Sequence, residues 1–292
     1  MKTINVVGCG KVGKTLARLW AEKGVFSVQA VLNRSLQSSR RAVDFLGGGR
    51  AVESYAQLGP ADVVMISASD ESIEACCREL CRDGNIAEGT AVFHCSGSLP
   101  SDLLDPARKL GASIASLHPV KSFADPARSV ETFAGTYCAV EGDRPARELI
   151  TRALASCGAK VFRVEPEFKT VYHAATVVAS NYLVALMEVG LRCFEKAGVS
   201  REVATPIIEP IVKGTLENVF KLGPAAALTG PIARGELSVV QTQCEALGQW
   251  DPLIEQVYKA LGQVAVELSA DQGNADPEAL AAITRCLCDE GA

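Results

Sequence analysis

The chain has 292 residues but only three histidines, His94, His118 and His173, and their surroundings point to proton transfer. An imidazole titrates near neutral pH, so it can give and take a proton under working conditions. His94 closes one apolar run and is followed by Cys95-Ser96-Gly97-Ser98. His118 closes another and is followed by Pro119. A single histidine of this kind is well explained by packing. Two of them at the ends of apolar runs, beside Ser/Gly turns, favour a site. His173 sits in a long apolar stretch together with Ser180 and Asn181. At about 100° per residue, Ser180 falls about 20° and Asn181 about 80° from His173 on a regular helix. A polar stripe on an apolar helix needs partners. Either a cleft between domains or hydrogen bonding within a core would supply them.

A second constellation lies at the N-terminus. Val6-Val7-Gly8-Cys9-Gly10-Lys11-Val12-Gly13 fits G-x-G-x-x-G, placed after an apolar run and before an amphipathic one. In that context the pattern predicts a dinucleotide site. Gly8 permits the tight turn, Gly10 lets the backbone approach a pyrophosphate, and Gly13 lets helix and strand pack closely. The following helix N-terminus offers free N–H groups and a positive dipole end to the phosphates. A site selective for NAD expects Asp or Glu about 20 residues on. Here Asn33, Arg34 and Ser35 stand there, with Arg40 and Arg41 further along. No carboxylate repels a 2′-phosphate and a guanidinium can pair with it, so NADP(H) is the expected cofactor.

The elements that position these residues follow from apolar periodicity. Continuous apolar runs at 4–7, 28–32, 63–67, 91–94 and 113–118 read as parallel strands buried on both faces. Helical stretches at 14–23, 72–81 and 99–110 separate them. Two further strands, 137–140 and 160–164, flank a helix at 144–157. This alternation predicts an α/β class: a doubly wound Rossmann sheet over residues 1–165. In such sheets ligands bind beyond the carboxyl ends of the strands. That adds Ser67, Ala68 and Ser69, together with His94, Ser96 and Gly97, to the expected cofactor contacts. After Glu165-Pro166-Glu167 the pattern turns helical. A stretch over 168–197 is apolar on nearly every face and belongs in a core or a subunit interface. Helices at 200–220, 236–247, 252–269 and 277–289 follow. Residues 166–292 are therefore expected to form an all-helical domain for substrate binding and dimerisation. Thr229-Gly230-Pro231-Ile232-Ala233-Arg234-Gly235-Glu236 opens one of its helices. An arginine at a helix start is unfavourable, so Arg234 needs an acidic side chain or an anionic ligand.

Composition narrows the function classes. Hydrophobic residues make up 48% and charged residues 22%, with a net charge of −5, as in an ordinary globular protein. With no basic stripe, nucleic-acid binding is not expected. No secretory leader is visible and no uninterrupted apolar run reaches about 18 residues. A cytoplasmic location without membrane contact is therefore expected. The eleven cysteines are an odd number in a chain too long to need disulfides. Adjacent Cys76-Cys77 and the tight Cys286-x-Cys288 lack zinc spacing, so no metal is expected and the thiols read as small buried hydrophobes.

Taken together, Gly8-Cys9-Gly10-Lys11-Val12-Gly13, Asn33-Arg34-Ser35, His94-Cys95-Ser96-Gly97, Leu117-His118-Pro119 with Ser122-Phe123, His173-Ala174-Ala175 to Ser180-Asn181, and Thr229 to Gly235 resemble the 6-phosphogluconate dehydrogenase-type superfamily. Ketopantoate reductase, pyrroline-5-carboxylate reductase and the β-hydroxyacid dehydrogenases belong to it. The chain is most similar to a branch with a Rossmann-like domain and a helical C-terminal domain of unknown function. The resemblance implies an NADP-dependent oxidoreductase and a homodimer formed through the helical domain. There is one departure. The hydroxyacid dehydrogenases carry a catalytic lysine four residues before an asparagine, and four residues before Asn181 stands Val177. His173, one turn earlier, is the first candidate to replace it, and Lys169, a further turn back, is the second. On this reading His173 is the general acid/base, Asn181 and Ser180 hold a small carbonyl or imine substrate, and His118 and His94 line the nicotinamide end. The missing lysine keeps a non-catalytic NADP-binding sensor open. Relatives with similar Rossmann domains keep a flavin or deazaflavin reductase open.

Overall fold

The computed structural model describes residues 1–288. Eight strands form one sheet in the order β3-β2-β1-β4-β5-β6-β7-β8. They are β1 Lys2–Val7, β2 Phe26–Leu32, β3 Arg50–Val52, β4 Val63–Ile66, β5 Ala91–His94, β6 Ser113–Pro119, β7 Tyr137–Gly142 and β8 Lys160–Arg163. All pairings are parallel except β6 with β7. Strand β3 is three residues long and contributes one buried residue, Val52. No periodicity can show so short a strand, and the expected strand set lacked it. The strand order reverses between β1 and β4, which makes the carboxyl ends of these two strands the switch point where such sheets bind ligands.

Helices α1 Lys11–Glu22, α2 Leu36–Leu46, α3 Asp70–Arg82, α4 Asp105–Arg108, α5 Pro126–Glu131 and α6 Arg144–Ala155 connect the strands. The helix expected at 99–110 is broken. A 3₁₀ turn at Ser101–Leu104 precedes the short α4. The alternation along each strand feeds two apolar layers. Val6, Met65 and Phe93 point into one, with Leu16, Trp20 and Leu117. Val7, Ile66 and Val92 point into the other, with Ile73, Leu80 and Leu104. The Trp20 indole N–H donates to the Ala153 carbonyl at 3.0 Å, so the largest buried ring leaves no polar atom unpaired.

Mutual contacts divide the chain into two compact units, the first of which is Met1–Asn181. That unit includes helix α7, Lys169–Thr176, and a π-helical turn, Val177–Asn181. The second unit starts at Tyr182. It contains α8 Tyr182–Lys196, α9 Arg201–Leu222, α10 Pro224–Ala227, α11 Leu237–Gly248, α12 Pro252–Gln272 and α13 Pro277–Cys288. The last residue of the helix expected at 277–289 lies outside the described residues. The unit's core is small, built on Val240, Cys244, Leu280, Ile283 and Leu287. An apolar cleft of about 330 Å³ within it is lined by Leu186, Cys193, Leu228, Tyr258 and Leu261, among others.

Three features of these helices bear on the expectations, and the last of them is a correction. The apolar helix is not a core helix of this chain: Val171 and Val184 are each 70% exposed. Its segment Pro166–Lys196 is also, by length and composition alone, apolar enough to cross a membrane, with a mean hydropathy of 1.5 in an 18-residue window. Polar residues such as His173, Ser180 and Asn181 interrupt the apolar runs there, and a windowed average passes over them. Arg234, finally, is not at a helix start. It ends a 3₁₀ turn, Ile232–Arg234, before Gly235 in a left-handed conformation. Its partner is acidic: the guanidinium grips Glu236 with two bonds of 2.8 Å. All eleven cysteines are free thiols. Among the described residues no group of three or more His, Cys, Asp or Glu side chains could hold a metal ion.

Candidate functional site

The β1–α1 turn is built by its glycines. Gly8 has φ +76°, which disfavours any side chain. A Cβ there would lie 2.6 Å from the Ala68 backbone at the end of β4. A Cβ on Gly13 would collide with Ser67 Oγ, which donates to the Gly8 carbonyl at 2.9 Å. Ser67 and Ala68 therefore close the turn from below. Gly10 differs: its Cβ would meet only the Gly8 carbonyl, at 3.9 Å. Its backbone is the open one. Helix α1 starts on Gly10 without a side-chain cap, and its first internal bond is Lys14 N–H to the Gly10 carbonyl at 2.9 Å. The amides of Lys11, Val12 and Gly13 thus precede the intrahelical ladder and point out of the N-terminus. This cradle fits a pyrophosphate, since it offers free donors, a dipole end and no acidic residue in the first turn.

The end of β2 is tied to the same turn. Asn33 Oδ1 accepts the Cys9 N–H at 2.6 Å, and the Asn33 N–H donates to Ser39 Oγ at 2.9 Å. Ser35 caps α2 by accepting the Ser38 N–H. Asn33 is thus spent on the turn and Ser35 on the start of α2, which leaves the exposed Arg34 between them. Arg34, Arg40 and Arg41 form no ion pair among the described residues. The expected phosphate-binding charge is present and unneutralised.

Beyond β5 the chain forms a polar loop. Ser96 and Ser98 hydroxyls both donate to Asp70 Oδ2 at 2.8 Å, and the hydroxyls of Ser69 and Ser72 at the start of α3 share a 2.9 Å bond. His94 does not face a ligand as expected. It is fully buried; Nε2 donates to the Pro100 carbonyl at 3.1 Å and Nδ1 accepts the Ser96 N–H at 3.2 Å. These partners fix the neutral Nε2–H tautomer. Burial lowers the His94 pKa to about 4, so it shapes the 96–100 loop as an uncharged residue.

His118 and His173 do come together. Their rings meet edge to face with centroids 5.6 Å apart. Gly97 makes this possible, because a Cβ there would sit 2.9 Å from His118 Cε1 and Nε2 and collide with His173 Cδ2. His118 Nδ1 shares a 2.8 Å hydrogen bond with the Tyr172 hydroxyl. Burial, and then the nearby His173, bring the His118 pKa down to about 4. Burial also pushes the Tyr172 hydroxyl up to about 12. The pair at neutral pH is thus an uncharged imidazole against a phenol, next to a second, half-buried imidazole. Ser180 and Asn181 follow on the π turn, both exposed. The i→i+5 pattern of Val177–Asn181 breaks the phase that 100° per residue gave them relative to His173. The helix departs from α geometry at Val177, the position of the missing lysine.

Lys169 is only 2% exposed. Its ammonium lies 3.5 Å from Glu141 Oε1, donates to the Ser96 carbonyl at 3.2 Å and bonds the Ser116 hydroxyl. Glu141 in turn accepts the Ser101 N–H at 2.8 Å and hydroxyl at 2.7 Å. Glu141, Tyr172 and Asp70 were not among the expected site residues. Glu141 had a signal: it is the one charged residue in the strand Tyr-Cys-Ala-Val-Glu-Gly, where a parallel-type core expects none.

Comparisons with known proteins fit this layout. Residues 2–119 match the family model of the Rossmann-like domain, and residues 136–265 match the domain of unknown function DUF2520. A search of curated proteins finds no match. Among solved structures, protein TM1727 from Thermotoga maritima is similar with a TM-score of 0.73 and 25% identity, over 92% of this chain and 99% of that one. BF3122 from Bacteroides fragilis, provisionally named an NADP oxidoreductase, gives 0.72 and 19%, over 91% and 98%. An imine reductase from Myxococcus stipitatus in complex with NADP⁺ gives 0.67 and 17%, over 98% and 100%. These likenesses establish a shared fold over nearly the whole of each chain. The two family models thus divide the chain into a Rossmann-like domain followed by a DUF2520 domain, the arrangement of the branch its motifs resemble.

Proposed function

We propose that the chain is an oxidoreductase that binds NADP(H) at the β1–α1 turn and acts on a small carbonyl or imine compound. The observation that carries this reading is the turn itself. Gly8 and Gly13 are pressed against Ala68 and Ser67, while the uncapped amides of Lys11 to Gly13 and the unpaired Arg34 remain available. Asn33, Ser67 and Ala68 hold that geometry, Ser35 caps the helix after β2, and Arg34 selects the 2′-phosphate. The imine reductase that shares the fold is itself an NADP⁺ complex, which supports the same cofactor here. Once bound, the nicotinamide supplies hydride exchange with a substrate carbon.

The protein's own contribution is the proton and the orientation. His173 is half-buried, within ring contact of His118, and serves as general acid/base. His118, uncharged and held by Tyr172, sets the orientation of His173 and excludes a second cation from the site. The exposed Ser180 and Asn181 hold the substrate heteroatom. The second unit completes the enzyme as a cytoplasmic homodimer, with the exposed apolar residues Ile211 and Phe220 among those available to a second copy. A chain mass of 30.8 kDa then predicts a dimer near twice that value by light scattering.

The test is a titration with NADPH and NADH, followed by NADPH oxidation screened over 2-oxo acids, imines and aldehydes. His173→Ala should lose turnover and keep NADPH affinity; unchanged turnover rejects His173. Val177 favours one other reading, an NADP-binding sensor without catalysis. Tight NADPH binding with silence across the whole screen would select the sensor.

A further inference from the structure

Lys169 and Glu141 form a buried ion pair that the proposed chemistry does not use. Burying one charge is expensive and burying two is repaid only by good geometry and further hydrogen bonds. Here all but one of the further bonds go to one loop. Lys169 holds the Ser96 carbonyl at 3.2 Å, and Glu141 holds Ser101 through both its N–H and its hydroxyl, at 2.8 and 2.7 Å. The pair therefore grips the loop between β5 and the following 3₁₀ turn at both ends. Gly97, the residue that admits the two imidazoles, lies between those grips. The strand side is fixed as well. The antiparallel register places Glu141 opposite Ser116, and Lys169 bonds that serine. Lys169 and His173 are one α-helical turn apart on α7, so anchoring the first sets the angle of the second about the helix axis.

We infer that Lys169, through its ion pair with Glu141, is the positioning residue of this site: it locks the 96–101 loop and the rotation of α7 together, and so fixes the His118–Tyr172 bond and the His118–His173 contact. This role rests on the reading of His118 and His173 given above, but it is tested without a substrate. Lys169 touches neither imidazole by hydrogen bond and is not a catalytic residue. The charged and titratable groups that face His118 are Lys169, Tyr172 and His173 from α7 and Asp70 from α3.

The experiment follows the side-chain nitrogen resonances of the three histidines across pH in the full-length protein, for wild type, Lys169→Met, and the double variant Glu141→Gln/Lys169→Met. The double variant removes both buried charges, so it is the one to use if the single variant does not fold. In a folded variant the His118 resonances are expected to move and its titration midpoint to rise by at least about half a pH unit, because a neighbouring cation has gone and Nδ1 has lost its fixed partner. His118 and His173 signals identical to wild type in a folded variant would overturn the inference. Failure of wild-type protein to bind NADPH would reject the cofactor reading alone, since the imidazole signals are recorded without the cofactor.

Discussion

Gly97 stands between two imidazoles without needing a left-handed backbone, so Gly97→Ala perturbs the site by volume alone. The added Cβ would lie 2.9 Å from His118 Cε1 and Nε2. Carbon contacts are comfortable at about 3.5–4.0 Å, so the ring must retreat by roughly 0.6–1.1 Å. It is held by the 2.8 Å bond to Tyr172, and a retreat of that size takes the bond to the edge of hydrogen-bonding distance. Overpacking of this kind costs about 1–3 kcal/mol. For a chain of this size that lowers Tm by roughly 2–4 °C per kcal/mol, or about 2–12 °C in all. Calorimetry reads the loss, and the His118 side-chain resonances read its cause. A Tm within about 1 °C of wild type, with unshifted His118 signals, would show that the ring contact is not the constraint the geometry describes.

Three other outcomes are expected. Gly13→Ala forces Ser67 off the Gly8 carbonyl and distorts the phosphate cradle; NADPH affinity, measured by fluorescence quenching, should fall at least about tenfold, on the scale of 1–3 kcal/mol of overpacking. Arg34→Glu replaces a charge-assisted bond worth about 1.5–3 kcal/mol by a repulsion, so the ratio of NADPH to NADH affinity should drop by more than about tenfold in paired titrations. The third concerns pH. The pKa of the buried His94 is lowered by burial to about 4 from an ordinary 6.5, so between those values the unfolded chain binds more protons than the folded one. The stability it contributes is complete above pH 6.5 and is lost as pH falls toward 4, by on the order of 3 kcal/mol. Urea midpoints should fall steeply over that range in wild type and less so in His94→Gln, whose amide can keep both backbone bonds; equal slopes would count against the assignment.

Motif and periodicity reach as far as chemistry is local. The glycine turn, the strands around it and the basic end of β2 were legible because each is a short pattern acting within a few residues, and the structure places Gly8, Gly13, Ser67 and Ala68 in one contact. The three-residue β3 and the π turn at Val177–Asn181 were not legible, since one is shorter than a period and the other breaks the period that prediction assumes. His94 looked like a site residue for the reason that it ends a strand. Only the backbone groups of Ser96 and Pro100, brought round by the loop, show that its polar atoms are occupied.

Glu141 and Lys169 mark the boundary of that kind of reading most clearly. Each is an anomaly by itself: a carboxylate in an apolar strand and a buried ammonium on a helix with no other Lys, Arg, Asp or Glu. An anomaly says that a partner exists but not where. The partner is named by the antiparallel β6–β7 register, which sets Glu141 across from Ser116, and by the packing of α7 over that pair of strands. The β6–β7 pairing is the single departure from a parallel sheet, and it occurs where the motif-bearing half ends. The residues proposed to bind the cofactor are therefore set by local sequence, while those that hold the imidazoles are set by one reversal of strand direction. That is why the cradle could be read from the N-terminal motif and the clamp behind His118 and His173 could not.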